Sequence, residues 1–123
     1  MKLIKIVLVA ALVACSSESP PQQDSPVVVL PAGLSRVTDA SQVCMVNDQF
    51  MGRPQIPIAV EGRTYYGCCA MCKDRLGKEP ATRFARDPVS GEQVDKSSAV
   101  IVQDASGKVM YFASEATLQR FRG

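Results

Sequence analysis

The chain has 123 residues, and its 14 basic and 12 acidic side chains give it a formal net charge of +2. A nearly neutral chain without a basic stripe gives no electrostatic support for nucleic-acid binding. It contains five cysteines and no histidine. Any metal site must therefore be built on sulfur, which selects soft ions such as Cu(I) and Zn(II) over hard ones.

The N-terminal residues have the pattern of a secretory signal peptide. Residues 1–5 carry Lys2 and Lys5, and residues 6–13 form an unbroken apolar run. The run is shorter than the ~20 apolar residues that cross a bilayer, so the pattern indicates export rather than a transmembrane helix. Removing residues 1–14 lowers the 14 basic residues to 12, equal to the 12 acidic ones, so the mature chain is expected to be neutral.

The signal pattern ends in Leu12-Val13-Ala14-Cys15, which resembles the lipobox of bacterial lipoproteins. The resemblance implies that Cys15 is acylated, becomes the first mature residue and anchors the protein to a membrane. Ser16 is not the acidic residue that retains such lipoproteins at the inner membrane, so the resemblance favours the periplasmic side of the outer membrane. The alternative is an ordinary signal peptide with an incidental cysteine.

A flexible tether is expected over residues 15–38. Its first part is rich in serine, proline and glutamine, a composition that cannot bury a core. The rest of the chain suffices for one small domain, whose single core is marginal without a metal or disulfide bonds.

Two units, each with two strands and a helix, are predicted after the tether. They cover strands 56–60 and 64–67 with helix 69–78, and strands 98–103 and 108–112 with helix 114–121. Ser114 is a good N-cap for the second helix. The common order predicts an internal repeat, although such units are common enough to match by chance.

Apart from Cys15, the cysteines fall in only one of the two halves, which each consist of such a unit and the segment before it. Aligning the units places Cys68 on Ala113 and Cys72 on Thr117, and the preceding segments place Cys44 on Ser90. The alignment therefore predicts one metal site in the first half and a second half that keeps the scaffold without ligands.

Cys44, Cys68 and Cys72 are the candidate metal ligands. Cys68 and Cys72 are one helical turn apart, so both sulfurs can face one ion, and Cys44 would arrive from a separate turn. Three thiolates can bind Cu(I) trigonally, whereas Zn(II) prefers four ligands, with Cys69 or water as the fourth. The thioether of Met45 also suits Cu(I), but core packing explains this residue equally well.

The same residues resemble the TRASH and YHS families of small metal-binding modules. The resemblance covers Tyr65-Tyr66 and the three ligand positions Cys44, Cys68 and Cys72, and in the second half Asp87-Pro88-Val89-Ser90-Gly91. It implies an α+β fold of two treble-clef-like modules (knuckle, β-hairpin, α-helix) packed as one domain, at residues 39–86 and 87–123. It also implies a role in sensing, handling or trafficking heavy metals, copper especially.

Two other interpretations start from the same cysteines. In the oxidising periplasm they could form structural disulfides in a metal-free lipoprotein that binds an envelope protein partner. Cys69 and Cys72 could also act as a redox Cys-x-x-Cys pair at a helix start, although the surrounding strand-helix-strand pattern is missing. No nucleophile elbow or phosphate loop is present, so we expect no enzyme activity.

Overall fold

The computed structural model describes residues 29–123, so the signal peptide, Cys15 and most of the expected tether lie outside the described residues. The fold is α+β, as predicted, with short antiparallel strands and two short helices. The strands are β1 (Ser35–Val37), β2 (Val43–Cys44), β3 (Gln49–Phe50), β4 (Ile56–Val60), β5 (Arg63–Gly67), β6 (Phe84–Arg86), β7 (Gln93–Asp95), β8 (Val100–Gln103) and β9 (Val109–Phe112); the helices are α1 (Ala70–Lys78) and α2 (Glu115–Arg120).

The same order of elements occurs twice. A short strand pair comes first in each half, β2 with β3 and then β6 with β7. Strand β6 lies just before the expected module boundary at residue 87, but it pairs with β7 and so opens the second half. A hairpin follows, β4 with β5 or β8 with β9, and its second strand runs into a helix two residues later. Both halves therefore contain the predicted hairpin and helix, preceded by a short strand pair. The knuckle and the treble-clef assignment stay predictions.

Local sequence explains where the helices begin and end. Cys69 is the N-cap of α1, and the helix ends at Lys78 with Glu79 as its C-cap, just before Pro80, which cannot continue it. Cys72 and Leu76 are the buried residues of α1 and lie four positions apart, on one face. Ser114 is the N-cap of α2, as predicted, and the structure adds a capping box with Thr117.

The two halves share an apolar core. Tyr65 and Leu76 from the first half pack in one cluster with Ile101 and Tyr111 from the second. A smaller cluster of Val102, Phe112 and Leu118 lies within the second half, with Leu30 and Leu34 packed against it. The site carried by α1 therefore rests on a core that needs both halves of the chain.

The ordered fold begins earlier than the sequence predicts. Residues 35–37 belong to the expected tether, but they form β1 and pair antiparallel with β8 in a three-stranded sheet with β9. Val37 enters the core cluster and Leu34 packs on the second cluster, so apolar burial holds this segment in place. Within residues 29–123, neither helix is long and apolar enough to cross a membrane.

Candidate metal centre

Three cysteine sulfurs meet where β2, β5 and α1 converge. The Sγ atoms of Cys44, Cys68 and Cys72 all lie within 4.8 Å of one another, with 3.6 Å between Cys68 and Cys72 and 3.9 Å between Cys44 and Cys72. Three sulfurs bound at about 2.3 Å to one ion are about 4 Å apart in a planar arrangement and about 3.8 Å apart in a tetrahedral one. The two separations at Cys72 lie close to both values, so this three-cysteine cluster could hold a soft metal ion.

The cluster is closed on one side and open on the other. Cys44 and Cys72 are buried, whereas Cys68 and Cys69 are half-buried. The exposed side chain of Asn47 donates a hydrogen bond from Nδ2 to Cys68 Sγ at 3.6 Å. An ion or a partner's thiol would therefore approach past Cys68 and Cys69.

Backbone N–H groups stabilise negative charge on Cys44. Burial alone would raise the pKa of this thiol, but the N–H groups of Asn47, Cys68 and Val46 outweigh burial and hold the pKa below its usual value. Such donors favour a thiolate, which is the form that binds metal. The turn after β2 is therefore built to accept a thiolate at Cys44.

The other two cluster thiols hold their protons more tightly. Burial, followed by hydrogen bonding with Cys69 and Cys68, raises the pKa of Cys72 to about 12. Hydrogen bonding with Cys44, followed by burial, raises the pKa of Cys68. A metal ion that binds all three sulfurs must displace these protons, so binding would release protons to solvent.

Cys69 lies beside the cluster but is not part of it. Its Sγ is 3.4 Å from Cys72 Sγ and accepts a hydrogen bond from the backbone N–H of Cys72 at 3.5 Å. This backbone hydrogen bond is the main reason that the pKa of Cys69 is lowered. Its role as a fourth ligand stays a prediction.

Gly67 allows α1 to come close enough to the end of β5. A Cβ atom at position 67 would lie 2.8 Å from Cys72 Cβ and 3.1 Å from the backbone nitrogen of Lys73. Any larger residue would push the helix start, and with it Cys72, away from Cys68. The glycine in Tyr66-Gly67-Cys68 is therefore a structural requirement of the cluster.

Met45 is fully buried in the apolar core beside Val43 and Tyr65. Its backbone N–H donates to the carbonyl oxygen of Tyr66 at 2.9 Å, which ties the turn after β2 to β5. Core packing accounts for this side chain, and its role as a metal ligand stays a prediction.

A buried lysine from the second half holds the turn that carries Cys44. Lys96 is 4% exposed, and its Nζ donates to the carbonyl oxygen of Met45 and to Asp48 Oδ1, both at 2.7 Å. The hydroxyl of Tyr111 donates to the same Asp48 oxygen at 3.0 Å. This Lys96–Asp48 clamp was missed from the sequence, because nothing in the local pattern predicts a buried lysine.

In the second half, the carboxylate of Asp87 lies where the first half has Cys44. Asp87 is 1% exposed; its Oδ1 accepts hydrogen bonds from the N–H groups of Val89 at 2.7 Å and Ser90 at 3.1 Å, and its Oδ2 from Ala113 N–H at 2.8 Å. The sequence alignment predicts Ser90 as the counterpart of Cys44, but Ser90 is exposed. The residue that corresponds to Cys44 is Asp87. The Asp-Pro pair at residues 87–88, which is typical of a turn, is the sequence signal that indicates this position.

Comparison with protein-family models, curated proteins and solved structures finds no significant match for this chain.

Proposed function

We propose that this protein binds one soft metal ion, Cu(I), through Cys44, Cys68 and Cys72, and serves in the handling, trafficking or sensing of that metal. The observation that carries the proposal is the convergence of three sulfurs from separate parts of the chain within 4.8 Å. Two of these residues are 28 positions apart in sequence, so the fold, and not local spacing, brings them together.

The donor set supports Cu(I) over Zn(II). Trigonal thiolate coordination satisfies Cu(I), whereas structural Zn(II) takes four ligands. Within residues 29–123, the cluster contains cysteine only, with no carboxylate among its members. Zn(II) would need Cys69, Met45 or water to complete its shell and is the alternative ion.

The open side of the cluster suits transfer rather than permanent storage. Cys68 and Cys69 are half-buried at the rim, so a thiol or thioether of a periplasmic protein partner could reach a bound ion there. The lipobox-like Cys15 and the polar segment after it would hold such a carrier at the periplasmic side of the outer membrane. The resemblance to TRASH and YHS modules supports the same role.

An anaerobic Cu(I) titration of the reduced protein against a chromophoric chelator tests the proposal. We expect one equivalent to bind more tightly than Zn(II), Cys72→Ser to abolish stoichiometric binding, and Ser90→Ala to leave it unchanged. A protein that binds no metal after reduction, and whose mass as isolated is lower by two hydrogens for each of two disulfides, would overturn the proposal in favour of a disulfide-stabilised interaction protein.

A further inference from the structure

Cys72 stands between two possible partners. Its Sγ is 3.6 Å from Cys68 and 3.9 Å from Cys44 within the metal cluster, but only 3.4 Å from Cys69 outside it. Cys69 and Cys72 are three residues apart across the first turn of α1, and Cys69 is the half-buried member of the pair. The buried sulfur of Cys72 can therefore reach either the metal cluster or the accessible thiol of Cys69.

We propose that Cys69 and Cys72 are a thiol–disulfide exchange pair that shares Cys72 with the metal cluster, so that Cu(I) and an accessible disulfide compete for one sulfur. The competition rests on the proposed metal function. The substrate would be a disulfide that is small or carried on an extended peptide segment, because only Cys69 of the pair is open to solvent and a substrate must reach it there.

The proposed exchange needs only the two protein thiols and one substrate disulfide. Cys69 loses its proton to solvent, and its thiolate attacks one sulfur of a substrate disulfide. The substrate S–S bond breaks, a Cys69–substrate disulfide forms, and the first substrate thiolate leaves and takes up the proton that Cys69 released. Cys72 then attacks the Cys69 sulfur, the Cys69–Cys72 disulfide forms, and the second substrate thiol leaves with the proton of Cys72. Two protein thiols are oxidised and one substrate disulfide is reduced, with two electrons and two protons transferred.

The geometry favours Cys69 over Cys68 as the attacking residue. Cys68 Sγ accepts the Asn47 amide hydrogen bond and lies within the three-sulfur group, whereas Cys69 Sγ lies outside that group. Once Cys72 is oxidised, only Cys44 and Cys68 remain for the ion. Two thiolates hold Cu(I) less firmly than three, so formation of the disulfide would release the metal.

The second half of the chain supplies the matched variant. Ser114 is the N-cap of α2 and accepts from the N–H of Thr117, as Cys69 does from the N–H of Cys72. Cys69→Ser therefore keeps a capping oxygen and leaves the three cluster sulfurs in place. It removes the exchange pair while sparing both the fold and the proposed metal site.

The experiment treats the reduced protein with oxidised glutathione, with and without one equivalent of Cu(I), and maps disulfides by peptide mass. We expect a Cys69–Cys72 disulfide in the metal-free protein, formed at least tenfold more slowly with Cu(I). Cys69→Ser should form no internal disulfide to Cys72 and still bind one Cu(I).

The failures of the two proposals are distinguishable. If the reduced wild-type protein binds no Cu(I), the metal function and the competition both fall. If it binds Cu(I) but the ion does not slow oxidation, or if Cys72 pairs with Cys68 or Cys44, the shared-sulfur proposal alone is overturned. Loss of Cu(I) binding in Cys69→Ser would instead make Cys69 a ligand and also overturn it.

Discussion

Asp87 occupies in the second half of the chain the place that Cys44 occupies in the first. Cys44 ends the first strand of one short pair, and Asp87 directly follows the first strand of the other. Each side chain receives the N–H groups two and three residues later, Val89 and Ser90 for Asp87 and Val46 and Asn47 for Cys44. Each also receives the N–H of the residue before a helix N-cap, which is Ala113 for Asp87 and Cys68 for Cys44. The same scaffold thus directs three N–H donors at an acidic side chain in each half, a thiol whose pKa is lowered in the first and a carboxylate in the second.

Asp87→Asn should lower the free energy of unfolding by about 1–3 kcal/mol at pH 7, because an amide NH₂ would face N–H donors where an oxygen now accepts. Urea denaturation measures this change. The matched control is Asp74→Asn, which removes a carboxylate from an exposed pair with Lys78 and should change stability by less than about 0.5 kcal/mol.

The same variant should remove an acid-dependent component of stability. Burial opposes ionisation of Asp87, but the Thr117 hydroxyl and the N–H groups of Ala113, Val89 and Ser90 outweigh it and lower the pKa to about 2. A depressed pKa contributes stability above the unfolded value near ~4, and the contribution is lost as the pH falls towards 2. Wild-type protein should lose about 2 kcal/mol more than Asp87→Asn between pH 5 and 2; equal losses would contradict this account.

The correspondence also predicts that a second metal site can be built. The triple variant Asp87→Cys, Ala113→Cys, Thr117→Cys should place three sulfurs on the counterparts of Cys44, Cys68 and Cys72, and it should bind two equivalents of Cu(I). The control keeps the last two changes but uses Ser90→Cys in place of Asp87→Cys, and should bind one. If the control bound two equivalents of Cu(I) and the triple variant bound one, Ser90 and not Asp87 would be the counterpart of Cys44.

The sequence predicts the local elements well and the long-range contacts poorly. The strand over residues 56–60 has its predicted bounds, and Ser114 is the N-cap, because alternation, turn glycines and capping act between near neighbours. The pairing of β1 with β8 joins Arg36 to Val102, and no local pattern encodes that choice.

In the candidate site too, the local spacing could be predicted from the sequence and the long-range contacts could not. Cys68 lies two residues before α1 and Cys72 lies within it. Their spacing indicates that both sulfurs can face one ion, but the contact with Cys44 depends on how the turn after β2 is held. That turn is held by Lys96, a residue whose type predicts an exposed position. Asp87 accepts a hydrogen bond from Ala113 N–H, 26 residues away in sequence. No local pattern encodes that contact, so the sequence alignment places Ser90 and not Asp87 opposite Cys44.

Lys96→Met should weaken Cu(I) binding by about 10- to 100-fold, as is typical when a residue that supports metal ligands is lost. The substitution keeps an unbranched apolar stem but leaves the Met45 carbonyl and the Asp48 carboxylate without the ammonium group. Competition with a chelator measures the affinity. Lys78→Met, at an exposed pair, should change nothing; unaltered affinity in Lys96→Met would show that the clamp supports only the fold.

Gly67→Ala should damage the metal site, because the new Cβ would lie 2.8 Å from Cys72 Cβ and 3.1 Å from backbone atoms that cannot yield cheaply. We expect a loss of about 1–3 kcal/mol in stability and weaker Cu(I) binding. Gly77→Ala is the control: its Cβ meets only the flexible end of Ile58 at 3.1 Å, and alanine favours the helix. Similar effects of the two changes would refute the close-approach argument.

X-ray absorption at the copper edge of the reduced, Cu(I)-loaded protein tests the central claim most directly. A site built from Cys44, Cys68 and Cys72 should show three sulfur neighbours at about 2.3 Å and no nitrogen or oxygen neighbour. Cys72→Ser should lose this three-sulfur signature. A copper shell that contains oxygen or nitrogen in the wild type, or one that is unchanged in Cys72→Ser, would contradict the account.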